Sequence, residues 1–375
     1  MADEEKTEIR DGVALCMSGG GYRAMVFHAG VLIRLNELGI LKKLARVSSV
    51  SGGSITAAVL GMNWKKLKFN DKGVATNLTE MLINPIQKMA STSIDANSVL
   101  GGIFWRGTVA EWVASKYSEI LFGDATLQDF PDDAEGPRFV LNATNVQSGA
   151  LFRMSKPFVG DYRIGRIHNM KLPLATAVAA SSAFPPFLSP MSIDVNPADF
   201  RPDDGSDLSR VPFTDTVVLT DGGVYDNLGV ETASKFRTLL VSDAGAKIVP
   251  EEEPASNWAE HSKRILDIVD DQVRNLRKRM LMSLFQAEGK EKREGTYWSI
   301  RSNIKNFGLP DALPCDFART TELANTPTRL KKMPEELQQQ LMNWGYAVAD
   351  AGVRKHLPPI DTSLNAKFPF NVELD

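Results

Sequence analysis

The sequence predicts an α/β fold, a mainly parallel central sheet flanked by helices, with a helical C-terminal extension. Three observations predict it. An apolar run at residues 14–18 leads into Gly19-Gly20-Gly21 and a helix-forming segment. A β-branched run, Arg46-Val47-Ser48-Ser49-Val50, ends in Ser51-Gly52-Gly53 and a second helix-forming segment. A third run, residues 216–220, ends in Asp221-Gly222-Gly223. Strands that give way to helices through glycine turns are the mark of an open α/β sheet.

Each element follows from local pattern. The first ten residues are polar and predict a loose end. Residues 22–38 carry Met25, Val26, Ala29, Leu32, Ile33 and Leu38 at helical spacing, and Gly39 stops them. Between residues 63 and 136 the periodicity is mostly helical, with 79–89 and 108–117 as helices, and this stretch reads as an insertion in the core. Residues 138–142 and 149–154 alternate around Gln147-Ser148-Gly149 and predict a hairpin. The Ala-rich stretch 172–182 predicts a helix halted by Pro185-Pro186. Residues 196–212, rich in Pro, Asp and Ser, read as a loop, and 238–242 as a buried strand that completes a core spanning residues 10–245. Beyond it, 246–375 reads as the helical extension: one long amphipathic helix at 258–285, with Ile265, Val269, Val273, Leu276, Met280 and Leu284 on one stripe, and another helix at 335–353.

Bulk properties exclude several classes. With 43 basic against 46 acidic residues there is no field to gather nucleic acid, so membrane contact must be local. Two cysteines, Cys16 and Cys315, make no disulfide framework and suit a reducing compartment. The acidic start of the chain lacks the apolar core of a secretory signal, and no eighteen consecutive apolar residues occur. The expected location is the cytoplasm, with peripheral contact at a membrane. Neither nucleotide fingerprint fits the glycines, since G-x-G-x-x-G spacing and a following Gly-Lys-Ser/Thr are both absent. No His, Cys, Asp or Glu cluster has ligand spacing, so neither metal nor cofactor is expected.

The run 46–55 has the form of a nucleophile elbow, with Ser49 in place of the usual first glycine of G-x-S-x-G. Together with Gly19–Ala24, the Asp221-Gly222-Gly223 triplet and Ala179-Ala180-Ser181-Ser182-Ala183-Phe184-Pro185-Pro186-Phe187, it resembles the patatin-like phospholipases and, more distantly, the catalytic domain of cytosolic phospholipase A. The resemblance spans about residues 10 to 245. It implies a three-layer fold and a Ser-Asp dyad, without histidine, that cleaves lipid esters. It also implies phospholipid or another acyl lipid as substrate. The family includes bacterial effectors held inactive until a signal arrives, and by that analogy the region after Val249 would be a regulatory or self-associating part.

The residues themselves are suited to acyl transfer, which needs a nucleophile, a base and donors for the carbonyl oxygen. Ser51 is the candidate nucleophile, followed by the elbow glycines Gly52 and Gly53. Asp221 is the candidate base, and Gly222 and Gly223 let another backbone approach it. Asp226 competes for that role but reads better as a helix cap. Gly20 and Gly21 are expected to donate amides to the oxyanion, with Gly19 making the bend. Arg23 resembles the family arginine that meets a lipid phosphate, and its ordinary alternative is an ion pair. Phe184 and Phe187 lie in an apolar loop suited to an acyl groove, or to packing beneath it. The mixed basic and apolar stretch 274–285 suits either a bilayer surface or a packed helix with a solvated basic face. Rival readings are a thioesterase or transacylase using the same dyad, and a non-catalytic lipid-binding protein.

Overall fold

The computed structural model describes residues 9–94, 108–357 and 366–374. Strand and helix alternate at the start: β1 (Arg10–Met17), α1 (Gly21–Glu37), β2 (Leu44–Val50) and α2 (Gly52–Asn63). A largely helical stretch follows, with α3 (Asn84–Ala90) and α4 (Val109–Tyr117). α4 starts where it does because Thr108 and Glu111 form a reciprocal capping box. Next come β3 (Arg138–Asn145), β4 (Leu151–Met154), β5 (Phe158–Asp161) and β6 (Gly165–His168), then α5 (Leu174–Ser181). The region expected to be loop holds the two-residue β8 (Phe200–Arg201), which follows β7 (Met191–Asp194). β9 (Thr216–Asp221), the single turn α6 (Gly223–Asp226) and β10 (Phe236–Asp243) complete the expected core. Beyond it lie α7 (Trp258–Gln286), β11 (Glu294–Ser299), α8 (Phe317–Ala324) and α9 (Glu335–His356).

One sheet runs through the molecule in the order β11-β10-β1-β2-β3-β4-β5-β6-β8. Its five strands from β11 to β3 are parallel. From β3 onward the partners are antiparallel, beginning with the hairpin to β4. β3 also forks: β9 pairs antiparallel with its last residues, and β7 pairs with β9. The mixed sheet follows from loop length, because the short turns after β3 can only return the chain antiparallel, whereas α1 and α2 provide crossovers.

Strand alternation sends side chains to both faces. Leu15 and Met17 of β1 join a large core with α1, α2, α5 and α9, while Ala14 and Cys16 join a smaller cluster with Leu239, Val241 and Leu281 of α7. The three layers are therefore helices, sheet, and a thinner cover formed by the loop after α6 and the end of α7.

The C-terminal region holds the expected helices and adds a strand to them. It contributes β11 to the sheet, and α9 is buried against α1. A Cβ on Gly30 would meet the Met342 carbonyl oxygen at 1.9 Å, and one on Gly345 would meet that of Phe27 at 2.1 Å. The two helices thus cross with backbones in contact, held by a buried Arg34–Asp350 ion pair of 2.7 Å.

On α7 the apolar stripe faces outward, while two arginines of the basic face pack inward. Its stripe of Ile265, Val269, Leu276 and Met280 is exposed, and the buried residue is Leu281. Arg274 and Arg277 turn inward instead, because buried Asp243 and Asp226 need opposite charges, at 3.8 and 3.5 Å.

Candidate active site

The bend at Ser51 is a backbone event before it is a chemical one. β2 passes into α2 through this single residue, which sits at φ 52° and ψ −121°. For a residue with a Cβ that conformation costs about 1–3 kcal/mol and persists only where the surroundings impose it. Crowding imposes it here: a Cβ on Gly52 would lie 2.1 Å from the Gly21 carbonyl oxygen, so the elbow is pressed against the glycine loop. Ser49, in the place of the usual first glycine, is buried and its hydroxyl meets that of Ser54 at 3.0 Å.

The glycine loop enters α1 through Gly20, whose φ of 143° only glycine adopts freely. The Gly20 and Gly21 amides have no hydrogen-bond partner among the described residues. The Gly19 N–H is instead shared between Asn227 Oδ1 at 3.1 Å and the Asn227 carbonyl at 3.2 Å. It makes the bend and leaves its two neighbours as the available donors. The positive end of α1 adds to the field at this point. Behind the loop, buried His28 accepts from the Ser242 hydroxyl at Nδ1 (2.9 Å) and donates from Nε2 to the Ser18 carbonyl (3.0 Å). Burial lowers its pKa to about 4, so it stays neutral.

Asp221 reaches the site from the opposite direction. Val50 pairs with Asn142 on β3, and the next residue of β3, Ala143, pairs with Asp221. The end of parallel β2 and the end of antiparallel β9 therefore meet head to head along the same edge of β3. Asp221 Oδ1 accepts the Gly223 N–H at 2.7 Å. Oδ2 is buried without a hydrogen-bond partner. The Ser51 hydroxyl lies beside this carboxylate and favours its charged form, though short of hydrogen-bond geometry with Oδ2. Burial dominates and raises the Asp221 pKa to about 7, opposed by the Gly223 amide and the Ser51 hydroxyl and helped by the nearby charge of Asp270.

These groups open onto a cleft of about 700 Å³ lined by Gly19–Gly21, Ser51, Asp221 and Asn227. Phe184 and Phe187 line it too, 39% and 57% exposed. Its other wall is the charged face of α7, including Asp267, Asp270 and Asp271. Among the described residues no histidine lines it. Nor does any group of three His, Cys, Asp or Glu among them have the arrangement to hold a metal ion.

The family model for patatin-like phospholipases matches residues 15–234. The chain belongs to this family. No curated protein sequence matches it significantly. Among solved structures it is similar to human GIVD cytosolic phospholipase A2, with a TM-score of 0.54, 12% identity, and coverage of 93% of this chain and 62% of that one. The chain thus spans about three fifths of that enzyme's chain, and at this identity the likeness is one of fold. The same human enzyme in complex with methyl gamma-linolenyl fluorophosphonate and terbium chloride aligns with a TM-score of 0.49 and 13% identity, over 93% and 58% of the two chains. VipD from Legionella pneumophila aligns over 93% of this chain and 67% of its own, at 16% identity and a TM-score of 0.36.

Within this patatin-like fold, two sequence expectations need correction. Arg23 is 1% exposed and does not line the cleft. Its Nε and Nη2 donate to the Ala244 carbonyl at 3.1 and 2.9 Å and its Nη1 to that of Thr326, so it ties the end of β10 to a C-terminal loop. One turn into α1 it points behind the glycine loop, where unpaired carbonyls consume its donors. Asp226 caps no following helix: its oxygens accept the Leu228 and Glu231 amides at 3.1 and 2.7 Å and hold the loop that follows α6.

Sequence reasoning missed Asn227, which fastens the glycine loop to the segment that follows Asp221 and α6, across 208 residues. Only tertiary contact identifies it, because an Asn in a Gly-rich turn has no distinctive spacing.

Proposed function

We propose that this chain is a lipid acyl hydrolase of phospholipase A or lysophospholipase type, working through a Ser51–Asp221 dyad. The observation that carries the reading is the head-to-head meeting of β2 and β9 on β3, which sets a strained serine beside a buried carboxylate with one unpartnered oxygen. In this scheme Ser51 Oγ attacks the acyl carbonyl carbon as its proton passes to Asp221 Oδ2. The Gly20 and Gly21 amides hold the resulting oxyanion, where a single such donor is worth about 3 kcal/mol. Asp221 then gives the proton to the alcohol oxygen as the ester bond breaks. Water, deprotonated by Asp221, releases the fatty acid and restores Ser51. A carboxylate with a pKa near 7 suits both directions of that transfer.

The exposed Phe184 and Phe187 at the mouth supply an apolar path for an acyl chain. Exposed Val249 at the same mouth and the outward apolar stripe of α7 support brief contact with a lipid surface from the cytoplasmic side. No helix among the described residues is long and apolar enough to cross a membrane.

The test is fatty-acid release from phospholipid, triglyceride and acyl-CoA by the wild type beside Ser51→Ala and Asp221→Asn, with fluorophosphonate labelling of Ser51. Release from phospholipid that both substitutions abolish is expected. Turnover confined to acyl-CoA would move the assignment to a thioesterase, and activity that survives Ser51→Ala would end the dyad reading.

A further inference from the structure

Ser181, the last residue of α5, makes no contact with the cleft, yet its atoms join both halves of the site. Its side chain is fully buried. Its hydroxyl donates to the Asn142 carbonyl at 2.7 Å and accepts the Ser51 backbone N–H at 3.0 Å. A third contact, with the Ser54 hydroxyl at 2.8 Å, fills the remaining lone pair. One hydroxyl has one proton and two lone pairs, so Ser54 must be the donor here. With its own proton on Ser181, Ser54 accepts from the Ser49 hydroxyl at 3.0 Å, a proton that the Val140 carbonyl shares at 3.4 Å.

The main chain of the same turn grips the acid. The Ser181 carbonyl accepts the Gly222 N–H at 3.2 Å, and two residues on the Ala183 carbonyl accepts the Asp221 N–H at 3.0 Å and the Thr220 hydroxyl at 3.0 Å. Asn142, which receives the Ser181 proton, is the β3 residue paired with Val50 and also abuts Gly222, whose added Cβ would lie 2.3 Å from its carbonyl oxygen.

Building on the dyad reading, we infer that Ser181 is a positioning residue: its hydroxyl holds Ser51 in its strained elbow conformation, at the place where the acid strand is anchored by the same helical turn. Without that hydroxyl the Ser51 amide and the Ser54 hydroxyl both lose their partner in a dry site. The φ 52° bend, still crowded at Gly52, then loses a hydrogen bond that opposes its relaxation. The nucleophile moves away from Asp221 Oδ2, and a displacement of about 1 Å in such a pair costs about a hundredfold in rate.

Steady-state hydrolysis and fluorophosphonate labelling of Ser181→Ala, Ser181→Thr and Val178→Ala test this, with Ser51→Ala as reference. Val178 is buried on the same helix, and its side chain has no hydrogen-bonding group, so it takes no part in the hydroxyl chain. Expected for Ser181→Ala is a fall of about a hundredfold in both kcat and labelling rate with KM within about twofold. Ser181→Thr, which keeps the hydroxyl, restores most of the rate, and Val178→Ala lowers Tm without the loss in kcat. Should Ser181→Ala not fold, Ser181→Cys, which keeps only a weak donor, takes its place and must fall below Ser181→Thr. Wild-type kcat and labelling in Ser181→Ala, or an equal loss in Val178→Ala, overturns the inference. Activity retained by Ser51→Ala would instead remove the reading beneath it.

Discussion

Ser51 and Asp221 meet along one strand: Val50, the residue before Ser51, pairs with Asn142, and Asp221 pairs with the next rung, Ala143. The two candidate catalytic groups arrive from opposite directions, so neither strand can slip by a residue without separating them. The pairing also accounts for the charge state of the acid, because a carboxylate at the meeting point of two strand ends is cut off from water.

Activity is expected to follow that charge. Asp221 must be ionised to accept the serine proton, and its pKa is about 7. kcat/KM is therefore expected to fall tenfold per pH unit below about 7 and to level off above it. A pH–rate profile with its acid limb near 4 would assign the limb to another group.

Stability should change in the opposite sense. A carboxyl whose folded pKa lies above its unfolded value of about 3.9 is protonated more readily in the folded chain. Folding then loses stability as pH rises from about 4 to about 7, and the loss persists above that range. Asp221→Asn, inactive, is expected to melt above the wild type at pH 8 and to lose that advantage at pH 4, as measured by calorimetry.

Asn227→Ala should leave the Gly19 amide with the main-chain carbonyl of residue 227 alone and loosen the glycine loop without opening the core. The expected result is a drop in kcat of about tenfold or more, with a stability loss of about 1–2 kcal/mol from the broken hydrogen bond. Unchanged kcat beside a lowered melting temperature would make Asn227 a purely structural tie.

For Arg23→Gln the expectation reverses. Its guanidinium is used up on the carbonyls of Ala244 and Thr326, so the substitution should destabilise the fold by about 1.5–3 kcal/mol. The ratio of phospholipid to triglyceride hydrolysis should not change. A selective loss of phospholipid turnover, with melting unaltered, would return Arg23 to the phosphate.

On α7, Leu276→Ser with Met280→Ser tests the lipid contact. Both side chains are over half exposed, so folding should change by less than about 0.5 kcal/mol. Co-sedimentation with phospholipid vesicles should fall severalfold. Charge reversal of Arg277 is a poorer probe, because Arg277 pairs with Glu231 and Asp226 and its loss would disturb the fold.

Much of this was legible in the amino-acid order because it is local. The elbow, the glycine loop and the aspartate triplet each announce themselves through a strand-forming run followed by residues that allow a sharp turn, and α1 and the β3–β4 hairpin through periodicity and turn chemistry. Only tertiary structure decided what depends on partners remote in the chain. β9 runs antiparallel because it fills the edge of β3 beyond the end of β2, and β11 completes the sheet 51 residues after β10 ends. Arg23 turned inward because free carbonyls lay behind it, and the apolar stripe of α7 turned outward because buried carboxylates claimed its arginines. A sequence records which groups must be satisfied, whereas the folded chain determines which of them lie near enough to satisfy one another.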